Sequence, residues 1–276
     1  MNTKLVTVDK PIGASKKFGI FTGTQTHVGV ISYTRPVIVK IASSFEYNDV
    51  LTAEASHFTT LSMFAKELAD IQKQSAKDVI RYDLLFAKLS GSFIDPTRND
   101  CRLNVFDAVD IEIDKLTPMG KLMKETTIDT RTSVWILGRI FKLYSFFELM
   151  ATSKNSPYVK YPLFSIGNFL VSPEKHRVVY YNFPGEIEDI TATEFVKAVT
   201  TKILKWIEPR DDDPNDAPYM DMLTALADNG SEKFELAHSL LYLAVERLWG
   251  ISYHPFTYKN VQTDTTVSGW NTIKEE

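Results

Sequence analysis

Hydrophobic and polar positions keep two different rhythms that take turns along this chain. Near the N-terminus apolar residues alternate with polar ones, the period of a strand with one covered face. The runs Phe18 to Phe21, Val28 to Tyr33 and Val37 to Ile41 are each bounded by Gly, Thr or Pro and predict an antiparallel meander. From Asp49 to about Ile71 the spacing lengthens: Val50, Ala53, Phe58, Leu61, Phe64, Ala65 and Leu68 recur every three or four positions. That is the stripe of one amphipathic helix, with Asp49 placed to cap its start. Alternation returns at Tyr82 to Leu89 and Leu103 to Val109, around a turn-rich stretch holding Gly91, Asp95, Pro96, Asn99 and Asp100. The expected order is three strands, a helix and two strands.

Beyond about Asp110 the rhythm is mainly helical. Thr132 to Met150 carries Val134, Trp135, Leu137, Ile140, Phe141, Leu143, Tyr144, Phe147 and Leu149, an apolar band so wide that the helix should be covered on most sides. Two short strands follow, Asn168 to Ser172 and Arg177 to Tyr181, joined by Pro173-Glu174-Lys175-His176 as a tight turn. Helices are expected again at Ala192 to Trp206 and Phe234 to Leu248, with the acidic, proline-punctuated loop Glu208 to Asp216 between them. The fold class is therefore α+β, an antiparallel sheet with one helix followed by a mainly helical region.

Composition narrows the function classes. The chain has 276 residues, 44% of them hydrophobic and 12% aromatic, enough to fill a sizeable core. Lys and Arg number 31 against 35 Asp and Glu, a net charge of -4, and no basic run offers a duplex-scale footprint, so nucleic acid is not an expected partner. The single cysteine, Cys101, excludes an intrachain disulfide and a cysteine-based zinc site, which fits a cytoplasmic setting. No apolar run long enough to span a bilayer is present, so no membrane association is expected. The histidines His27, His57, His176, His238 and His254 lack metal-ligand spacing. Trp135, Trp206, Trp249 and Trp270 read as packing residues, and Asp211-Asp212-Asp213 as a flexible acidic loop rather than a cation site.

Against this order of elements, several local motifs take on meaning. Val37-Ile38-Val39-Lys40 places a lysine at the end of an apolar strand, and Glu54 lies on the first turns of the following helix, within reach of it. Further on, Gly167-Asn168-Phe169-Leu170-Val171 and Val178-Val179-Tyr180-Tyr181-Asn182-Phe183-Pro184 flank the expected hairpin. Together these resemble the protein kinase fold over most of the chain. The resemblance implies a bilobal architecture, an N-lobe over residues 1–110 and a mainly helical C-lobe over 111–276, with ATP in the cleft between them. Lys40 would then contact phosphates and pair with Glu54, while Asn168 and Asn182 would stand at the metal-binding positions.

The catalytic chemistry implied by that resemblance is missing. Leu163 stands where the catalytic aspartate belongs and Tyr161 where the loop-opening histidine or tyrosine does; leucine can neither orient a hydroxyl nor accept its proton. Asn182, a weaker magnesium ligand, replaces the metal-binding aspartate, and Pro184 replaces the glycine after it. Gly19, Gly23 and Gly29 do not match the spacing of a phosphate loop, and no Ala-Pro-Glu sequence follows Phe183. The resemblance is therefore to a pseudokinase, a vestigial nucleotide cleft with no catalytic residue, retained for binding a protein partner or for regulation.

The segments Arg131 to Arg139, Ser172 to His176 and Leu248 to Phe256 are further similar to phage and bacterial kinase-like proteins, some of which carry a DnaJ-like chaperone label. No His-Pro-Asp tripeptide of a J-domain is present. Two other function classes stay open at this point. One is an atypical phosphotransferase in which Glu186 or Asp189 restores metal binding; the other is a phage structural or assembly protein that uses the fold as a packed block. Each candidate residue also has a plainer role: Lys40 and Glu54 as a structural ion pair, Asn168 and Asn182 as turn residues.

Overall fold

A computed structural model describes residues 3–28, 32–75, 80–107, 117–152, 161–162, 165–173, 177–183, 187–188, 190–210, 212–250, 252 and 254–268. The chain divides into two units: Met1–Leu116 together with the returning segment Tyr181–Gly185, and Thr117–Tyr180 with Glu186–Glu276.

The first unit is built on a five-stranded antiparallel sheet, with β1 (Thr3–Ala14), β2 (Phe18–Val28), β3 (Tyr33–Ala42), β4 (Lys88–Asp95) and β5 (Cys101–Asp107) in the spatial order β1-β2-β3-β5-β4. One helix, α1 (Asn48–Ser75), connects β3 to the second hairpin. The residues Val37, Ile38, Val39 and Lys40 of β3 are all buried, so both faces of this central strand are covered. On one face Val37 and Val39 join Leu103 and Val105 of β5 in an apolar cluster, with Val6, Val8 and Ile41 against it. By the alternation of a strand, Lys40 belongs to the other face, where Asn104 is its partner across the β3-β5 ladder. Phe106 on that face meets Phe58 of α1 edge-on, with centroids 5.1 Å apart.

Several boundaries differ from the expectation. The residues Thr3 to Ala14, not expected as a strand, form β1, an edge strand whose register shifts around Pro11, a residue with no N–H to give the ladder. Of the middle expected strand, Val28 to Tyr33, Val28 ends β2 and Tyr33 opens β3, and residues 29–31 lie outside the described residues. Gly19 and Gly23, weighed from sequence against a phosphate loop, lie inside β2; Val8 is paired with Gly23, and a Cβ there would stand 2.2 Å from the Thr7 carbonyl oxygen. Close approach of β1, and not a phosphate loop, accounts for that glycine. Gly29 lies outside the described residues. At Tyr82–Leu84 the expected strand is a 3-10 turn, whereas Gly91 and Asp95, expected in a turn, are in β4, with Gly91 at a register shift. Asp49 sits in the first turn of α1, inside the helix rather than capping it.

The second unit is organised around α3 (Thr130–Thr152), whose Ile136, Leu137, Ile140, Phe141, Tyr144 and Phe146 are fully buried. Against it pack α4 (Ala192–Leu204), α5 (Asp216–Asn229) and α6 (Phe234–Trp249). Tyr144 of α3 lies 3.9 Å from the Phe195 ring of α4, and Phe195 meets Phe234 of α6 edge-on at 5.2 Å. Aromatic pairs of this kind add to the area they bury. A capping box between Thr191 and Glu194 starts α4. The unit also holds β6 (Thr117–Pro118), α2 (Met119–Glu125), β7 (Thr126–Ile128), β8 (Tyr161–Pro162), β9 (Phe169–Ser172), β10 (Arg177–Tyr180), β11 (Ile187–Glu188), β12 (Thr257–Asn260) and β13 (Thr266–Ser268). Of these, β9 and β10 form the expected antiparallel hairpin; its tip, 174–176, lies outside the described residues.

The acidic loop is not loose throughout. Asp216 is buried and opens α5, a helix the expectation did not include; it accepts hydrogen bonds from Thr130 Oγ1 at 2.6 Å and from the Arg210 amide at 2.7 Å. Asp213 accepts from the indole of Trp249 at 2.9 Å and pairs with Arg210. Among the described residues no group of three or more His, Cys, Asp and Glu could hold a metal ion, and no helix is long and apolar enough to cross a membrane.

Candidate functional site

Among the described residues, Lys40 is the fully buried cation of the first unit's sheet, and its surroundings explain how it stays there. A buried ammonium loses its hydration and must find acceptors within the protein. Lys40 Nζ donates to Glu54 Oε1 at 2.5 Å, to the Tyr181 carbonyl oxygen at 2.7 Å and to Asn182 Oδ1 at 3.0 Å. These bonds use the three N–H donors that a lysine has. Around them the rings of Tyr181, Phe18 and Phe106 stand 4.9, 5.2 and 5.3 Å from the nitrogen. Burial pulls the Lys40 ammonium down from its usual range, and the charge of Glu54 and its hydrogen bond push back.

The carboxylate is equally well held. Glu54 is 1% exposed; beyond Lys40, its Oε1 accepts from the Phe183 amide at 3.3 Å and its Oε2 from Asn104 Nδ2 at 3.0 Å. The Asn104 amide also donates to the Leu51 carbonyl at 2.8 Å, which ties β5 to the first turns of α1. One helical turn on from Glu54, the His57 ring stacks on Phe183 at 4.1 Å. Burial lowers the His57 pKa to about 3, so the ring is neutral when the protein is folded at ordinary pH. The Tyr181 hydroxyl is pushed up to about 12, first by burial and then by the charge of Glu54.

Three of the four candidates, Lys40, Glu54 and Asn182, are thus brought together within the first unit. The fourth, Asn168, belongs to the second, where its amide closes a 3-10 turn on the Ser165 carbonyl at 2.9 Å just before β9. Leu163, Pro184, Glu186 and Asp189 lie outside the described residues, as do His176, Asp211 and Trp270. The partners that sequence reasoning did not name are Asn104, His57 and the backbone of Tyr181 and Phe183. Asn104 had a visible signal, a lone amide inside the apolar run Leu103 to Phe106. The backbone groups had none, because any residue supplies them.

No family model matches this chain, and none of the curated proteins does. As arranged, the ammonium is a tether joining β3, α1 and the segment Tyr181–Phe183, with its donors directed at protein acceptors.

Proposed function

We propose that this chain is a catalytically inactive, protein-kinase-like binding module, with the Lys40–Glu54 pair serving as a structural clamp. The observation that carries this reading is the set of acceptors around Lys40: Glu54, the Tyr181 carbonyl and Asn182 take the donors that would otherwise meet phosphate oxygens. To bind a nucleotide through this lysine the protein would have to break bonds that hold a fully buried cation, a change that costs several kcal/mol. Leu163 in place of a catalytic base and Asn182 in place of a metal-binding carboxylate support the same conclusion. The module would act by presenting a surface to a protein partner.

Calorimetric titration with ATP, with and without magnesium, tests this directly. The expected outcome is no saturable heat in either condition and no transfer of labelled phosphate to protein substrates. Saturable magnesium-dependent binding, or phosphate transfer that disappears in a folded Lys40→Met variant, would overturn the proposal.

A further inference from the structure

The first unit carries a groove whose chemistry differs from that of the chain as a whole. It runs between the C-terminal half of α1 and the segment leading into β4, and encloses about 580 Å³. Lys66 and Lys73, seven residues apart and so on one helical face, stand on one side; Arg81 and Lys88 stand on the other. All four residues are exposed. The floor is apolar, made of Ala65, Ala69, Phe86 and Leu89, with Phe86 3% exposed.

Among the described residues, Asp83 is the carboxylate that lines the groove, and it organises the cations there. Asp83 receives Arg81 through two parallel bonds, at 2.8 Å from Nε and 2.9 Å from Nη2, and receives Lys88 Nζ at 2.9 Å. The fork of Arg81 holds the Asp83 carboxyl well below the usual carboxylate range. With four cations and one anion, the lining carries a formal charge of +3 on a chain whose net charge is -4. Lys73 also touches Asp70, at 3.3 Å, an exposed contact that water readily replaces.

We infer that this groove docks an extended acidic peptide segment of a partner protein, with an apolar side chain seated against Ala69 and Leu89 and carboxylates on either side meeting Lys66, Lys73 and Lys88. Charge complementarity selects the sign of the partner, and the apolar floor selects a peptide with a hydrophobic anchor. A nucleic acid strand is disfavoured because the floor offers no exposed ring for a base to stack on. A flat anionic membrane is disfavoured because the apolar surface lies at the bottom of a concavity. The inference deepens the binding-module reading and rests on it, yet the two fail separately: nucleotide titration decides one and peptide binding the other.

The experiment is fluorescence anisotropy on the full chain. Its probes are a fluorescein-labelled peptide in which glutamates alternate with leucines, and a matched peptide with glutamine for glutamate. The glutamate peptide should bind more tightly and lose affinity as salt rises. Lys66→Gln and Lys88→Gln should each weaken it roughly two- to five-fold, the range for single exposed charge pairs. Lys121→Gln, an exposed lysine of the second unit, should leave it unchanged. Because the groove lysines are exposed, circular dichroism melts should show all variants folded. Equal binding of both peptides, or lysine variants that bind like the parent, would overturn the inference. So would phosphatidylserine vesicles that bind in a Lys66- and Lys88-dependent way where the peptide does not, or self-association abolished by Lys88→Gln.

Discussion

Two clusters in the first unit use the same chemistry at nearly the same distance and do opposite things. Lys40 meets Glu54 at 2.5 Å with both side chains sealed, 0% and 1% exposed. In the groove, Arg81 and Lys88 meet Asp83 at 2.8 and 2.9 Å, with cations 59% and 47% exposed and the carboxylate 29%. Attraction between two charges scales inversely with the dielectric around them, and so does the cost of leaving one unpaired. The sealed pair is therefore committed: each partner needs the other, and the segment Tyr181–Phe183 is fixed with them. The open cluster is reached by water, so a competing carboxylate can approach its exposed cations without being buried first. What separates a clamp from a docking surface is burial rather than residue type.

The largest effect should come from breaking the clamp on one side. Lys40→Met leaves Glu54 buried without its cation and should destabilise the protein by about 3–5 kcal/mol, measured by urea denaturation. Adding Glu54→Leu to that variant should recover part of the loss, because the stranded charge is then gone. A double variant no more stable than the single would mean that the pair does not act as a unit.

Next in size is a pH effect beside the clamp. The folded protein holds His57 neutral, with a pKa near 3, whereas an unfolded histidine titrates near 6.5. The unfolded state therefore takes up a proton first. Stability from this group is fully present above pH 6.5 and falls by about 1.4 kcal/mol per unit as pH drops toward 3. At pH 5 the loss should be about 2 kcal/mol, and His57→Phe should flatten the slope between pH 7 and 5. His238, lowered chiefly by burial, adds to the slope in both proteins, so the difference between them reports on His57. Parallel slopes would show that the stack on Phe183 opens before the protein unfolds.

The smallest effect belongs to the open cluster. Asp83→Asn should change stability by less than about 1 kcal/mol in the same urea experiment. It should also remove the anion that competes for Lys88 and tighten binding of the glutamate peptide. Weaker peptide binding in this variant would show that Asp83 positions the cations more than it neutralises them.

Much of the framework was legible in the residues themselves. Alternation over Val37 to Ile41 and the three- and four-residue spacing from Val50 to Leu68 follow from local geometry, so β3 and α1 could be placed from sequence, as could the broad band that makes α3 a buried helix. The reach from Lys40 to Glu54 was legible for the same reason: a strand followed by a helix brings these positions together. Local patterns failed where a distant neighbour sets the conformation. Gly23 looks like a turn residue until β1 lies against it, and Gly91 likewise until β5 pairs with it. The acidic run before α5 looks like solvent-facing loop until Thr130, 86 residues away in sequence, donates to Asp216.

The sequence by itself determined which residues could be paired at the buried site: a strand lysine, a helix glutamate and a lone asparagine in an apolar strand. Only the tertiary structure decided that these residues are sealed and that the cations of the groove stay open. It also decided that the backbone of Tyr181 and Phe183 completes the Lys40 site. The physical reason is that burial depends on residues far apart in the chain, and that backbone amides and carbonyls, present at every position, leave no mark in a sequence.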